Sequence, residues 1–386
     1  SLSAKAFLMA HAEPAFSVGI EEEYWLVDKE TRNLASDPPA DLVERCNAAA
    51  CAEVSPEFLK SQIEIGTNPC RTIKEAAAEL KSLRACVAET AGEFGLAPIA
   101  ASTHPFAEWA DQEHADKDRY NALAEELQTV VRRLLICGMH VHVGIEDADM
   151  RIDLMNQVSY FLPHLLCLST SSPFWRGVNT GLMSYRLSVF KELPRTGLPD
   201  RFDSFSAYER HVDSMVSAGV IQDATRLWWD IRPSARYPTL EMRMSDIATR
   251  AEDTITIAAL YVCLLRMLFR LRTQNQRWRI YSGMLVAENR WRAQRYGFDG
   301  GLIDFGAGAV IGYDALLDEI LDLISEDAEA LDCVEEVNNA RNILTRGTSA
   351  HRQIETFDAA IAAGASRQEA LEAIVDMLIA ETVTGL

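Results

Sequence analysis

No Cys-x-x-Cys pair occurs in the 386 residues, although cysteine itself stands at 46, 51, 70, 86, 137, 167, 263 and 333. Thiols scattered in this way fit buried side chains in a reducing compartment better than a disulfide framework. Positive charge is scarce: 37 Lys and Arg stand against 57 Asp and Glu, for a formal net charge of −20. That balance argues against a general binder of nucleic acid or of anionic membranes, but it leaves room for a nucleotide held by a few arginines and a metal. Long apolar runs are lacking. The longest, residues 255–269, is interrupted by Arg266 and too short to span a bilayer, so it reads as a buried helix. Residues 1–11 have too short an apolar core for a signal peptide, and a cytoplasmic protein without membrane or nucleic-acid partners is expected. There is no Gly-x-x-x-x-Gly-Lys-[Ser/Thr] loop, and no Gly-x-Gly-x-x-Gly opens a helix after a strand. Any nucleotide is therefore held by neither of those schemes. Low-complexity linkers and short repeats are missing too, and a hydrophobic content of 48% is ample for one compact core.

What is present begins with residues 16–28, Phe-Ser-Val-Gly-Ile-Glu-Glu-Glu-Tyr-Trp-Leu-Val-Asp, which read as a strand. Alternation points Glu21 and Glu23 the same way, roughly 7 Å apart, and turns Glu22 to the other face with Ile20, Tyr24 and Leu26. Two like charges on so apolar a strand repel unless a cation lies between them, and oxygen ligands of this kind suit Mg²⁺ or Mn²⁺. Four further strands repeat the pattern. Residues 58–69 put Gln62, Glu64 and Gly66 on one face, and residues 134–145 do the same with His140 and His142. Residues 227–232 offer Asp230 with Arg232, and residues 239–246 offer Glu241 with Arg243.

Helices fall between these strands. Residues 72–94 carry Thr72 as a cap with Glu75 three positions on, and residues 117–133 are amphipathic. A helix over 149–168 is interrupted at Pro163. The expectation is a single α+β catalytic domain over 1–386, strand-rich from 16 to 246 and helical from 249 to 382.

Five strands that each combine an apolar face with carboxylate, imidazole or guanidinium groups imply a sheet curved around a polar cleft. Glu21, His140 and Glu241 suit one divalent ion, and Glu23 with Glu64 a second. Arginines would offset charge on a transferring phosphoryl group. A His-x-His zinc pair at His140 and His142 is the competing reading. It calls for βα repeats and further histidines on later strands, which instead bring Glu and Arg. Trp228 and Trp229 read as core rather than as a base platform. Arg290, Arg292 and Arg295 lie close together on a helix, where a solvated face competes with phosphate contact.

Seven segments in order now carry a resemblance. They are Gly19-Ile-Glu-Glu-Glu23, Gly138-Met-His-Val-His-Val-Gly144, the stretch from Ser172 to Arg186, Trp229-Asp-Ile-Arg-Pro233, Thr239-Leu-Glu-Met-Arg243, the stretch from Glu288 to Gly297, and Arg346-Gly-Thr348. Together they resemble the YbdK-type carboxylate–amine ligases, the glutamate–cysteine ligase type 2 family, over about residues 16–380.

The resemblance implies a glutamine-synthetase-like fold, with a curved antiparallel sheet forming a funnel-shaped active site for ATP and Mg²⁺, flanked by helices. It implies a carboxylate phosphorylated by ATP and then attacked by an amine, and it implies a homodimer. Carried over by position, Glu21, Glu23, Glu64, His140 and Glu241 resemble metal ligands. Arg243 resembles the arginine near the transferred phosphoryl, and Arg186 one that orients substrate or phosphate. Arg232 and Arg292, with the helix-end turn at Arg346 and Thr348, are the candidates for contacts to the nucleotide. Asp230 and Glu22 are the candidates to accept the amine's proton. Asn179, residues 234–238 and His351 depart from the family's pattern, the first two near where an acceptor would bind.

The residues support the same chemistry on their own. A carboxylate acylates poorly because oxide is a poor leaving group, and phosphorylation supplies a good one. The expected substrates are a carboxylate, with the γ-carboxyl of glutamate the one considered, and a small amine such as cysteine. Two alternatives stand beside this: a phosphagen-kinase-like phosphotransferase, and a non-catalytic nucleotide or amino-acid sensor. The complete acidic set Glu21, Glu23, Glu64 and Glu241 argues against the sensor.

Overall fold

The structure is a computed structural model that describes residues 12–50 and 52–386. Residues 1–11 and Cys51 lie outside the described residues.

Strand β1 (Val18–Asp28) is the axis of a seven-stranded antiparallel sheet. The others are β2 (Glu53–Pro56), β3 (Gln62–Gly66), β4 (Leu96–Ile99), β5 (Met139–Gly144), β6 (Ile231–Pro233) and β7 (Thr239–Met242). Their order is β6-β7-β5-β1-β3-β2, and β4 pairs with the far half of β1, from Trp25 to Asp28. This is the expected α+β architecture. One sheet face is apolar and closed off: Ile20, Ile63, Ile65, Met139, Val141, Val143, Leu240 and Met242 are all buried. The other face carries the polar residues.

Helix α1 (Ile73–Gly92) begins as its sequence requires, with Thr72 Oγ1 accepting the Glu75 N–H at 3.1 Å. The Glu75 carboxylate reaches one residue further back than a capping box would take it, to the Arg71 N–H at 2.8 Å. The amphipathic stretch at 117–133 is two pieces, α2 (Asp118–Leu127) and a turn at Thr129–Arg132, broken where Gln128 takes a positive φ of 50°. Pro163 does interrupt the next helix. α3 (Ala148–Val158) passes through a 3₁₀ turn into α4 (Leu162–Ser169), where Pro163 occupies a first-turn position that needs no N–H.

The expected strand at 227–232 is likewise split. Trp228–Trp229 pairs in parallel with Thr196–Gly197 in a separate ribbon, and β6 starts only at Ile231. At the break the Asp230 carbonyl accepts the N–H groups of Arg243, at 2.7 Å, and Met244, at 3.1 Å.

Helix α5 (Ala251–Thr273) exceeds the apolar run seen in the sequence. At 23 residues it is long and apolar enough to cross a bilayer, yet 83% of its most apolar window is buried in the fold. It closes the apolar side of the sheet, where the Tyr261 hydroxyl donates to the Leu240 carbonyl at 3.0 Å. The remaining third contains α6 (Gly283–Tyr296), α7 (Ser349–Ala362) and α8 (Arg367–Thr382). A two-stranded hairpin, Leu302–Asp304 with Ala309–Ile311, interrupts this otherwise helical part.

Glu22 shows how the halves are joined. Fully buried on the apolar side of β1, it is chelated by Arg84 of α1 at 2.8 and 2.6 Å and also accepts the hydroxyls of Tyr24, at 2.7 Å, and Thr254 of α5, at 2.8 Å. Arg84 spends its other N–H groups on the carbonyls of Ala248, Thr249 and Thr382. Every charge-bearing atom here has a partner, as burial demands.

Candidate active site

Register sets the site. Glu21 lies opposite His140, Glu23 opposite Glu64, Glu241 opposite His142, and Arg232 opposite Glu241. Because each strand alternates, all of these point away from the apolar core. They line a cleft of about 350 Å³ that is roofed by α2, which contributes Arg119, Tyr120, Leu123 and Leu127.

Two groups of metal-ligating atoms share this face. In the first, Glu21, His140 and Glu241 bring their ligand atoms within 4.8 Å of one another. His140 Nδ1 is 3.1 Å from Glu21 and 3.7 Å from Glu241, and His142 Nε2 is 3.4 Å from Glu21. Burial opposes ionisation of Glu21, but the hydrogen bonds from His140 and His142 hold it well below the usual carboxylate range. Glu241 is held low in the same way by Arg243 and Arg232, against its burial. Burial, helped by the Arg243 charge, pushes His140 down to about 4, which leaves the neutral imidazole that a metal requires.

The second group is Glu23, Glu57 and Glu64. Among the described residues no cation lies within ion-pair distance of these three. Burial, and next the charge of Glu57, pushes Glu23 up to about 8. Burial and the same neighbour raise Glu64 well above the usual carboxylate range, and burial raises Glu57. Three crowded carboxylates short of positive charge are what a divalent cation relieves, and all-oxygen donors suit Mg²⁺ or Mn²⁺. The residues therefore fit two such ions.

Three arginines border the carboxylates. Arg243 donates to Glu241 at 2.6 Å, and Arg232 does so at 3.1 Å while also bonding the Thr225 and Leu227 carbonyls. Arg186 is buried on the cleft wall, its guanidinium against the carbonyls of residues 243–245. Thus Glu21, Glu23, Glu64, His140, Glu241, Arg186, Arg232 and Arg243 are brought together.

The other candidates are not. The strand break at residue 230 ends the alternation, and Asp230 is bound by Arg290 at 2.7 and 3.0 Å, buried and away from the cleft. Glu22 is equally unsuited to accept a proton from an amine, since it lies behind the sheet with Arg84. Arg292 bonds the carbonyls of Gly300 and Gly301. Arg346 is paired with Asp253 at 2.8 Å, and Thr348 caps α7 while sharing a 2.7 Å hydrogen bond with the Thr170 hydroxyl. All three of these support the helical part and do not line the cleft.

Of the departures, residues 234–238 do border the cleft, with Ser234 Oγ accepting two N–H groups of a tight turn and Tyr237 edge-on to His142 at 6.4 Å. Asn179 closes a hairpin turn onto the Gly181 N–H, and His351 completes the α7 cap opposite Asp299. Sequence reading missed Glu57. The signal was the alternation of Glu53, Ser55 and Glu57, all cleft residues, hidden by Pro56 inside so short a strand.

Comparison with known proteins bears on the family and the fold. The family model described as glutamate-cysteine ligase family 2 matches residues 17–377. A protein of Rhodospirillum rubrum named "Putative glutamate--cysteine ligase 2" is 62% identical over 97% of both chains. One of the same name from Jannaschia sp. is 55% identical over 94% of this chain and 96% of its own. Among solved structures, a glutamate–cysteine ligase of Francisella tularensis in complex with AMP superposes with a TM-score of 0.66 at 16% identity, over 95% of this chain and 89% of that one. A bifunctional glutathione synthetase of Pasteurella multocida gives 0.67 at 16% identity, with 99% of this chain spanning 54% of that longer one. At such identity these two share the fold.

Proposed function

The chain belongs to glutamate–cysteine ligase family 2, a family of carboxylate–amine ligases, and from that premise we propose that it uses ATP to phosphorylate a carboxylate and passes the acyl group to an amine. The γ-carboxyl of glutamate is the proposed donor and a small amine such as cysteine the acceptor, in line with the relatives' name. The observation that carries this reading is the placement of both carboxylate groups and three arginines on one sheet face.

Glu21, His140 and Glu241 would hold one Mg²⁺, and Glu23, Glu57 and Glu64 another. Bound there, the ions would supply Lewis-acid neutralisation of phosphate oxygens. The chain's own groups do the rest. Arg243 borders both carboxylate groups and Arg186 the second, and they offset charge that develops on the transferring phosphoryl. Arg232 keeps Glu241 ionised and oriented. Leu123 and Leu127 of α2, with Ile136, Phe190 and Leu193, give the cleft an apolar lining that limits water at the acyl phosphate, where hydrolysis would waste it.

The test is ADP release with Mg²⁺ against amino acids offered singly and in pairs, with products weighed by mass spectrometry. ADP that needs both a carboxylate and an amine, together with a new amide mass, supports the ligase. A phosphorylated guanidine, or ADP without amide, would refute it.

A further inference from the structure

Arg186 owes its place to a neighbour without a side chain. It is only 4% exposed, and its guanidinium donates to the carbonyls of Met244 at 3.2 Å, Ser245 at 3.3 Å and Arg243 at 3.3 Å. Its Nε is buried with no hydrogen-bond partner among the described residues, although the residue lines the cleft. Gly138 immediately precedes β5. A Cβ built there would lie 2.4 Å from Arg186 Nη2, 3.0 Å from Cζ and 3.3 Å from Nε. The backbone at Gly138 is not in the left-handed region, so clearance alone asks for glycine. The atoms in the way are the far end of a flexible side chain, so an added methyl group would move the guanidinium before it moved the sheet.

Gly138 also touches the second carboxylate group. Its N–H donates to Glu23 at 2.7 Å, and its carbonyl accepts the Glu23 N–H at 3.1 Å. From the other side it bridges to Asp246, whose carboxylate accepts the Ser172 and Ser184 hydroxyls, each at 2.8 Å. Ser172 Oγ in turn accepts the main-chain N–H of Arg186 at 3.1 Å. One backbone position therefore sets both a carboxylate and a guanidinium.

We propose that Gly138 is a positioning residue, whose missing side chain lets the Arg186 guanidinium lie against residues 243–245 while its N–H aims Glu23 into the cleft. The proposal rests on the ligase reading for its kinetic consequence, though not for its geometry.

The experiment is a double-mutant cycle of Gly138→Ala with Arg186→Lys, read in both turnover and melting temperature. With Arg186 present, Gly138→Ala should lower kcat by roughly 10- to 100-fold, as misplacing a group by about 1 Å does. In the Arg186→Lys background, where an ammonium lacks the forked nitrogen that Cβ would strike, the same change should cost less than about twofold. Equal losses in both backgrounds, or normal turnover in Gly138→Ala, would overturn the proposal. If the parent protein releases no ADP with any substrate pair, the ligase reading fails and the melting temperatures decide alone. Gly138→Ala should then destabilise the protein that retains Arg186 and not the Arg186→Lys protein. Equal destabilisation of the two overturns the proposal, and failure of Gly138→Ala to fold only where Arg186 is retained supports it.

Discussion

At the scale of single residues, charge explains both the site and its cost. Glu57 stands near Glu23 and Glu64 with no cation in ion-pair range among the described residues, so neutralising it removes repulsion. Glu57→Gln is expected to raise the melting temperature in metal-free buffer while lowering Mg²⁺-dependent turnover at least ~10-fold, a trade seen where function strains a fold. Scanning calorimetry with and without Mg²⁺ checks it, and a lower melting temperature in both buffers would contradict it. Two histidines outside the cleft contribute to acid behaviour. His104 accepts the N–H groups of Phe106 and Ala107 on Nδ1 and donates from Nε2 to the Arg32 carbonyl, so its neutral form is built in. Burial pushes it down to about 4, and does the same to His164. The unfolded chain binds these protons from about pH 6.5 downward and the folded one only near 4, so stability is lost as pH falls through that window. The loss at pH 5 is about 2 kcal/mol for each histidine. His104→Asn keeps an acceptor for the turn and should make urea unfolding less pH-dependent between 7 and 5, whereas an unchanged dependence would clear His104. Alternation made most of the cleft legible: the positions of Glu21, Glu23, Glu64, His140 and Glu241 followed from period two alone. Asp230 did not, because a strand break is set by where its carbonyl bonds, and nothing in Trp-Trp-Asp-Ile-Arg announces one.

At the scale of elements, helices differ in how they are held. α5 has most of its length buried, whereas none of the residues of α2 is fully buried. Beyond the contact of its inner side with the cleft, α2 is tied by Glu126, itself exposed to solvent, to Arg195 at 3.5 Å and Arg226 at 3.7 Å, distances long enough for solvent to weaken both pairs. Its amides are expected to exchange orders of magnitude faster than those of α5, and to slow when Mg·ATP fills the cleft beneath. Hydrogen exchange with mass detection would show it; protection of α2 equal to that of α5 in the free protein would refute it. Element boundaries were legible where a residue type dictates them, as at Thr72 and Pro163. The break at Gln128 was not, since glutamine rarely adopts a positive φ and carries no sequence mark of doing so.

At the scale of the whole molecule, the strand-rich and helical parts share buried polar contacts. Arg84 of α1 meets the Thr382 carbonyl, Thr254 of α5 meets Glu22, and Gln353 of α7 donates to the Ser171 carbonyl at 2.9 Å. Separating the parts would expose all of these at once. A single cooperative melting transition is therefore expected, and two resolved transitions in calorimetry would show separate units. Glu22→Gln should lower stability by roughly 3–5 kcal/mol, because Arg84 would keep its charge in the interior without a counterion. Urea unfolding measures it, and a loss below about 1 kcal/mol would mean that the carbonyls around Arg84 suffice.

Three consecutive glutamates in β1 put opposite demands on their surroundings, and this bears on how the chain finds its fold. Were β1 to slip by one position against its neighbours, Glu21 and Glu23 would both be driven into the apolar interior and Glu22 would be turned out. Arg84 could then satisfy one carboxylate, but the second would remain there without a partner. The misaligned sheet is thus penalised by a stranded charge, and the pairing of a single arginine with the middle glutamate works as a proofreading step for strand alignment.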